Sequence, residues 1–120
     1  MKPITIYNDK FLDLISWSFR VGGISIFPFI ILRENRKGST NGGILVNHET
    51  IHFWQTLELG IVGFYLLYII FYMYYIVKTK FKIEEAYMMI PFEKEAYSNE
   101  KNLDYIKNRG VFSWVKYINK

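Results

Sequence analysis

The chain has 120 residues, 51% of them hydrophobic and 19% aromatic, with no cysteine and 15 basic against 11 acidic side chains for a net charge of +4. This length predicts one domain, 1–120, and excludes an enzyme with a separate cofactor domain. Without cysteine there is no disulfide framework, thiolate zinc site, iron-sulfur cluster or cysteine nucleophile, so any metal must be held by histidine and carboxylates. The modest lysine excess forms no basic stripe interleaved with aromatics, which argues against a nucleic-acid partner and suits a membrane surface.

Asp9 and Asp13 interrupt the N-terminal region, so no cleavable signal peptide is expected there. Residues 11–20 alternate apolar and polar positions loosely enough for a short amphipathic helix, which Gly22 and Gly23 end. Residues 24–32 (ISIFPFIIL) are β-branched and aromatic and too short to span a bilayer, so they predict a strand. Pro28 cannot donate to a ladder and places that strand at an edge. Residues 33–43 are a turn-rich polar loop.

Residues 59–77 contain no charge and run directly into Lys78, Lys80 and Lys82. A spanning helix needs about 20 such residues, and the lysines would then lie on the cytoplasmic side. The tyrosines at 65, 68, 72, 74 and 75, with Gly60 and Gly63, pull instead toward a buried core helix. So short a chain has little other apolar surface with which to wrap a helix hydrophobic all round, which favours membrane insertion. Beyond the lysines, residues 83–90 predict a helix, Pro91 restarts the chain, and residues 92–107 predict an amphipathic helix with Phe92, Ala96, Asn99, Leu103 and Ile106 on one face. Arg109 and Gly110 end it before a short aromatic tail, 111–117. The expected class is mainly α with a short edge strand or hairpin (α+β).

The chemistry is concentrated in His48-Glu49-Thr50-Ile51-His52, an H-E-x-x-H sequence that uses both histidines of the chain. On a helix, positions four apart lie about 40° apart in azimuth and about 6 Å along the axis, so both imidazoles can reach one tetrahedral zinc. Glu49 is turned by about 100° and flanks the metal, where it can take a proton from water. Random placement of two histidines and a glutamate gives this arrangement in about one chain in a thousand, and such motifs do carry false positives. The bland alternative is a pair of helical histidines capping a core beside a solvated Glu49.

A hydrolytic zinc site needs a third protein ligand and an open position. Glu58 lies six residues after His52, where one branch of such enzymes places its third ligand, but that branch needs a glycine where this chain has Gln55. On a continuing helix Glu58 is about 15 Å from His48 along the axis and cannot reach. Glu84, Glu85, Glu93, Glu95 and Glu100 remain.

His48 to His52 together with the downstream Phe92-Glu93-Lys94-Glu95-Ala96 resembles the gluzincin metallopeptidases, in particular the membrane-embedded prenyl-protease type. The resemblance implies a minimal zincin-like domain in which Glu93 is the third zinc ligand and Ala96 the small residue that lets the helices approach. Tyr97 stands where the family has an Asp that braces a ligating histidine. A second register, Glu95 to Asn99, resembles the thermolysin-type E-x-x-S-D and would make Glu95 the ligand. The two glutamates are about 200° apart on a helix and cannot both ligate. The run from Asn47 to Gln55 is also similar to small bacterial metallopeptidases of unassigned substrate, which implies a peptide bound in extended form on an edge strand, here residues 24–32. Tyr87, Tyr97 and Arg109 are candidate oxyanion donors.

Two classes follow. One is a zinc-dependent peptidase in a bacterial inner membrane with Glu49 as general base and a peptide or protein as substrate. The other is a non-catalytic membrane protein whose metal site, if any, braces its helices and which acts through helix-helix interaction. Metal content separates site from no site, and a Glu49 variant separates enzyme from brace.

Overall fold

The structure is a computed structural model that describes residues 3–16, 22–38 and 40–118. It is mainly helical with one small sheet. In chain order the elements are β1 (Ile4–Tyr7), α1 (Asp9–Ile15), β2 (Gly23–Ile26), β3 (Phe29–Leu32), a 3-10 turn (Glu34–Arg36), α2 (Thr40–Leu59), α3 (Ile61–Lys78), α4 (Ile83–Met89), α5 (Pro91–Asn99), α6 (Tyr105–Asn108) and a 3-10 turn (Ser113–Tyr117).

The sheet order is β1-β3-β2, with β1 parallel and β2 antiparallel to β3. The single edge strand expected over 24–32 is therefore a hairpin that turns at Phe27-Pro28, and only its β2 arm is an edge. Pro28 is spared from donating to a ladder by lying in the turn, and its carbonyl accepts from the Ile4 amide at 2.9 Å. The β1 strand has no counterpart among the elements expected from the sequence. On one sheet face Ile30 and Leu32 are fully buried, and α2 covers β2 and β3. Gly23 suits this close pairing, since a Cβ on it would meet Leu32 Cδ2 at 2.6 Å and oblige that side chain to shift. The α1 helix starts on Asn8, whose side-chain oxygen accepts from the Phe11 amide. It ends at Ile15, and residues 17–20 of the expected helix lie outside the described residues.

The polar loop is shorter than expected because α2 already begins at Thr40. One residue, Gly60 at φ 76°, joins α2 to α3, a left-handed conformation that favours glycine. This break shifts the apolar helix from 59–77 to Ile61–Lys78, which is long and apolar enough to cross a membrane, with mean hydropathy 1.7 and 11% of its residues buried. Val62, Leu66, Ile69, Ile70, Met73 and Val77 form its outward stripe. The opposite face turns Phe64, Tyr68 and Phe71 onto Phe92 of α5, which also meets Trp114 in a tilted contact at 4.8 Å between ring centroids.

Pro91 opens α5 at a position where its missing N–H is not needed. The helix expected over 92–107 stops at Asn99. Asn47 Nδ2 reaches the carbonyls of Glu100 and Asn102 at 2.8 and 2.9 Å, supplying the donors that a continuing helix would have provided. Leu103, expected on the apolar face, is consequently 66% exposed.

Candidate metal centre

One helix, α2, carries His48, Glu49 and His52, and the spacing sets the two imidazole centroids 4.9 Å apart. The first turn of α5 brings Glu93 to them from the other side. Its Oε1 lies 3.2 Å from His48 Nε2 and 3.1 Å from His52 Nε2, and all three side chains are buried. Their ligand atoms lie within 4.8 Å of one another. Ligand atoms bonded at about 2.0–2.1 Å to one tetrahedral ion sit about 3.4 Å apart, so the set fits a metal ion with small movements. Two imidazoles and a carboxylate with no sulfur are donors that zinc accepts.

Each of these groups has a second partner. Tyr68 of α3 donates its hydroxyl to Glu93 Oε2 at 2.6 Å, leaving Oε1 for the histidines. His48 Nδ1 lies 3.1 Å from Glu100 Oε1, and His52 Nδ1 lies 2.8 Å from Gln55 Oε1. Tyr97, at the place of the family's Asp, makes an edge contact with the His48 ring at 4.4 Å between centroids; Glu100 is the carboxylate that braces that histidine. Sequence reasoning did not single out Gln55 or Tyr68. Gln55 had a signal, since it follows His52 by three positions on the same helix face.

Burial opposes charge on both histidines, but their carboxylate neighbours prevail. His48 is pushed up to about 10 by its hydrogen bonds to Glu100 and Glu93, and His52 is raised by Glu93. Glu93 is held below the usual carboxylate range, because His52 and His48 outweigh its own burial. Glu49 goes the other way: burial raises it, against the pull of both histidines.

The remaining candidates lie elsewhere. Glu95 is fully buried, but its Oε2 accepts from Arg109 Nε at 2.6 Å and from Tyr105 at 2.7 Å. Glu58 accepts from Arg109 Nη1 at 2.8 Å, so the residue excluded by distance balances a charge instead. Arg109 is thereby committed between two carboxylates. Glu84 and Glu85 are exposed on α4.

Glu49, His52 and Glu93 lie at one side of a cavity of about 680 Å³, whose other walls include Ile24 and Ile26 of β2, Tyr65 and Tyr72 of α3, and Tyr87 of α4. The edge strand and the H-E-x-x-H helix thus share a cavity, and Tyr65 already donates to the Ser25 carbonyl on that edge at 3.0 Å. Comparison with protein-family models, with curated proteins and with solved structures finds no match.

Proposed function

We propose that the chain is a small zinc-dependent metallopeptidase of gluzincin type that hydrolyses peptide bonds at a membrane. The observation that carries this reading is the division of labour on α2. His48 and His52 converge with Glu93, while Glu49, one position from His48, is left beside that set and borders the cavity. A structural zinc site is closed by four protein ligands, whereas three side chains gather here among the described residues and a cavity adjoins them.

Zinc held by His48, His52 and Glu93 would supply Lewis acidity toward a carbonyl and toward water. Glu49 accepts the proton of the attacking water and returns it to the leaving amine, and a carboxyl raised by burial is better matched to that work near neutral pH. Ile24, Ile26, Tyr65 and Tyr87 offer the substrate uncharged walls, and the β2 edge offers backbone groups to an extended segment. The peptide preferred at this site is therefore apolar. The outward stripe of α3 lies against acyl chains, and Lys78, Lys80 and Lys82 sit at the cytoplasmic surface.

The test is Glu49→Gln, which keeps the shape and the metal while removing the base. General acid-base assistance is typically a factor of about 10² to 10⁴. Membrane and periplasmic peptide profiles of bacterial cells carrying the wild-type protein are expected to contain cleavage products that the variant lacks. Unchanged profiles without self-cleavage would replace the peptidase by a membrane protein braced by its metal.

A further inference from the structure

Gln55 is fully buried, and the two ends of its amide are told apart by what surrounds them. Its Nε2 lies 3.1 Å from the Phe92 carbonyl oxygen and 2.9 Å from Glu95 Oε1. A carbonyl can only accept. Glu95 also acts as acceptor here, because Arg109 donates to it from Nε at 2.6 Å and from Nη2 at 3.0 Å and a guanidinium has nothing to accept with. Both hydrogens of the amide nitrogen are thus used. A flipped amide would press its oxygen against two acceptors in a water-free place. The oxygen of Gln55 must face His52 Nδ1, at 2.8 Å.

We propose that Gln55, clamped by Glu95 and Arg109, is a positioning residue that fixes the His52 proton on Nδ1 and so reserves Nε2 for the metal; this rests on the metal-centre reading above. An amide oxygen has no hydrogen to give, so the hydrogen in that contact comes from the imidazole. Nε2 faces the carboxylate oxygen Glu93 Oε1 at 3.1 Å and carries a hydrogen toward it without metal; that is the hydrogen a metal ion displaces, and its departure frees the lone pair on Nε2 while Nδ1 keeps its own. The chain of contacts runs from His52 through Gln55 and Glu95 to Arg109 and Glu58, and within it Glu95 holds the group that holds the ligand. The two histidines are braced differently. His48 leans on Glu100, whose side chain is 19% exposed, whereas His52 leans on a neutral amide sealed inside the protein.

The experiment uses the full chain with ¹⁵N-labelled histidine, loaded with ¹¹³Cd as the probe metal. In the wild type, His52 is expected to show a slowly exchanging Nδ1–H and a cadmium coupling at Nε2. Gln55→Met, of similar length but without the acceptor, is expected to lose the protected N–H and to bind metal about 10- to 100-fold more weakly. Gln55→Glu keeps an oxygen toward His52 and, as a neutral carboxyl whose O–H donates to Glu95 Oε1 where the amide nitrogen did, is expected to retain both signals. Coupling through Nδ1 in the wild type, or a Gln55→Met protein with unchanged affinity and unchanged N–H, overturns the proposal and leaves the metal centre standing. Should Gln55→Met fail to fold, loss of the Nδ1–H in folded Gln55→Glu overturns it equally. A wild type that binds no cadmium and no zinc removes the metal centre itself, and the positioning role with it.

Discussion

Glu93 and Glu95 stand two positions apart on α5, both buried, and reach opposite sides of the helix: Glu93 Oε1 lies 3.1 Å from His52 Nε2, and Glu95 Oε2 lies 2.6 Å from Arg109 Nε. A step of two residues turns a helix by about 200°, so one short helix serves the two histidines on one flank and the Arg109 charge cluster on the other.

Their replacements should therefore fail differently. Purified protein is expected to carry about one zinc per chain, and His48→Ala, His52→Ala and Glu93→Ala should each empty the site. Glu95→Ala should still load at saturating zinc but lose about 1–3 kcal/mol of stability, because it removes one of the two carboxylates that Arg109 is bonded to. Elemental analysis and denaturant titration read the two effects separately. Full occupancy in Glu93→Ala would move the ligand elsewhere.

Tyr68→Phe tests whether the apolar helix takes part in the centre. The change removes the 2.6 Å hydrogen bond to Glu93 Oε2 and leaves a buried oxygen without its donor, a loss of about 1–3 kcal/mol. Zinc affinity in a chelator competition should fall by roughly fivefold at the low end of that range. An unchanged affinity would make Tyr68 a packing residue only.

Zinc uptake should depend on pH in the opposite sense to metal-free stability. With His48 pushed up to about 10 by Glu100 and Glu93 against its burial, the metal-free imidazole is protonated at neutral pH, and zinc must displace that proton. Calorimetry in buffers of different ionisation enthalpy should show proton release, and affinity should rise from pH 6 to 8. A histidine raised in the folded state stabilises the metal-free fold fully below its ordinary 6.5 and loses this contribution as pH rises toward 10. Metal-free melting temperature should accordingly fall over the interval in which affinity climbs. Parallel trends would mean that His48 is neutral without metal.

The protein is expected to stay in the membrane fraction through high-salt and carbonate washes, since burial of the α3 stripe does not depend on screened charge. Lysine labelling should find Lys78, Lys80 and Lys82 from the cytoplasmic side only. Recovery as a soluble monomer without detergent would mean that Val62, Leu66 and Ile69 face water or another protein.

What could be read from the residues was what a helix dictates locally. The convergence of His48 and His52 and the outlying Glu49 follow from periodicity within α2. The exclusion of Glu58 needed only helix length. The resemblances offered both Glu93 and Glu95, and periodicity said only that the two cannot both ligate; that Glu93 meets the histidines while Glu95 meets Arg109 depends on how α5 packs on α2. Four-residue β1 was invisible, since its pairing with β3 joins distant residues. The hairpin within 24–32 carries none of the Asn-Gly or Asp-Gly signals that mark a tight turn. Two of the tyrosines that weighed against membrane insertion turn inward from α3: Tyr65 and Tyr68 direct their hydroxyls to Ser25 and Glu93.

Arg109 also makes the closing of α2 on α5 depend on a residue that follows both helices in the chain. A chain is made from its N-terminus, so Glu58 and Glu95 exist before the guanidinium that balances them. Until Arg109 arrives, closing α2 on α5 would bury two carboxylates without a cation, at a cost of several kcal/mol for each ion. A fragment ending at residue 108 is therefore expected to be cut by an added protease between α2 and α5 where the full chain resists. Any chemistry at His48, Glu49, His52 and Glu93 would then wait on Arg109, whose partners are Glu58 and Glu95 rather than any of those four.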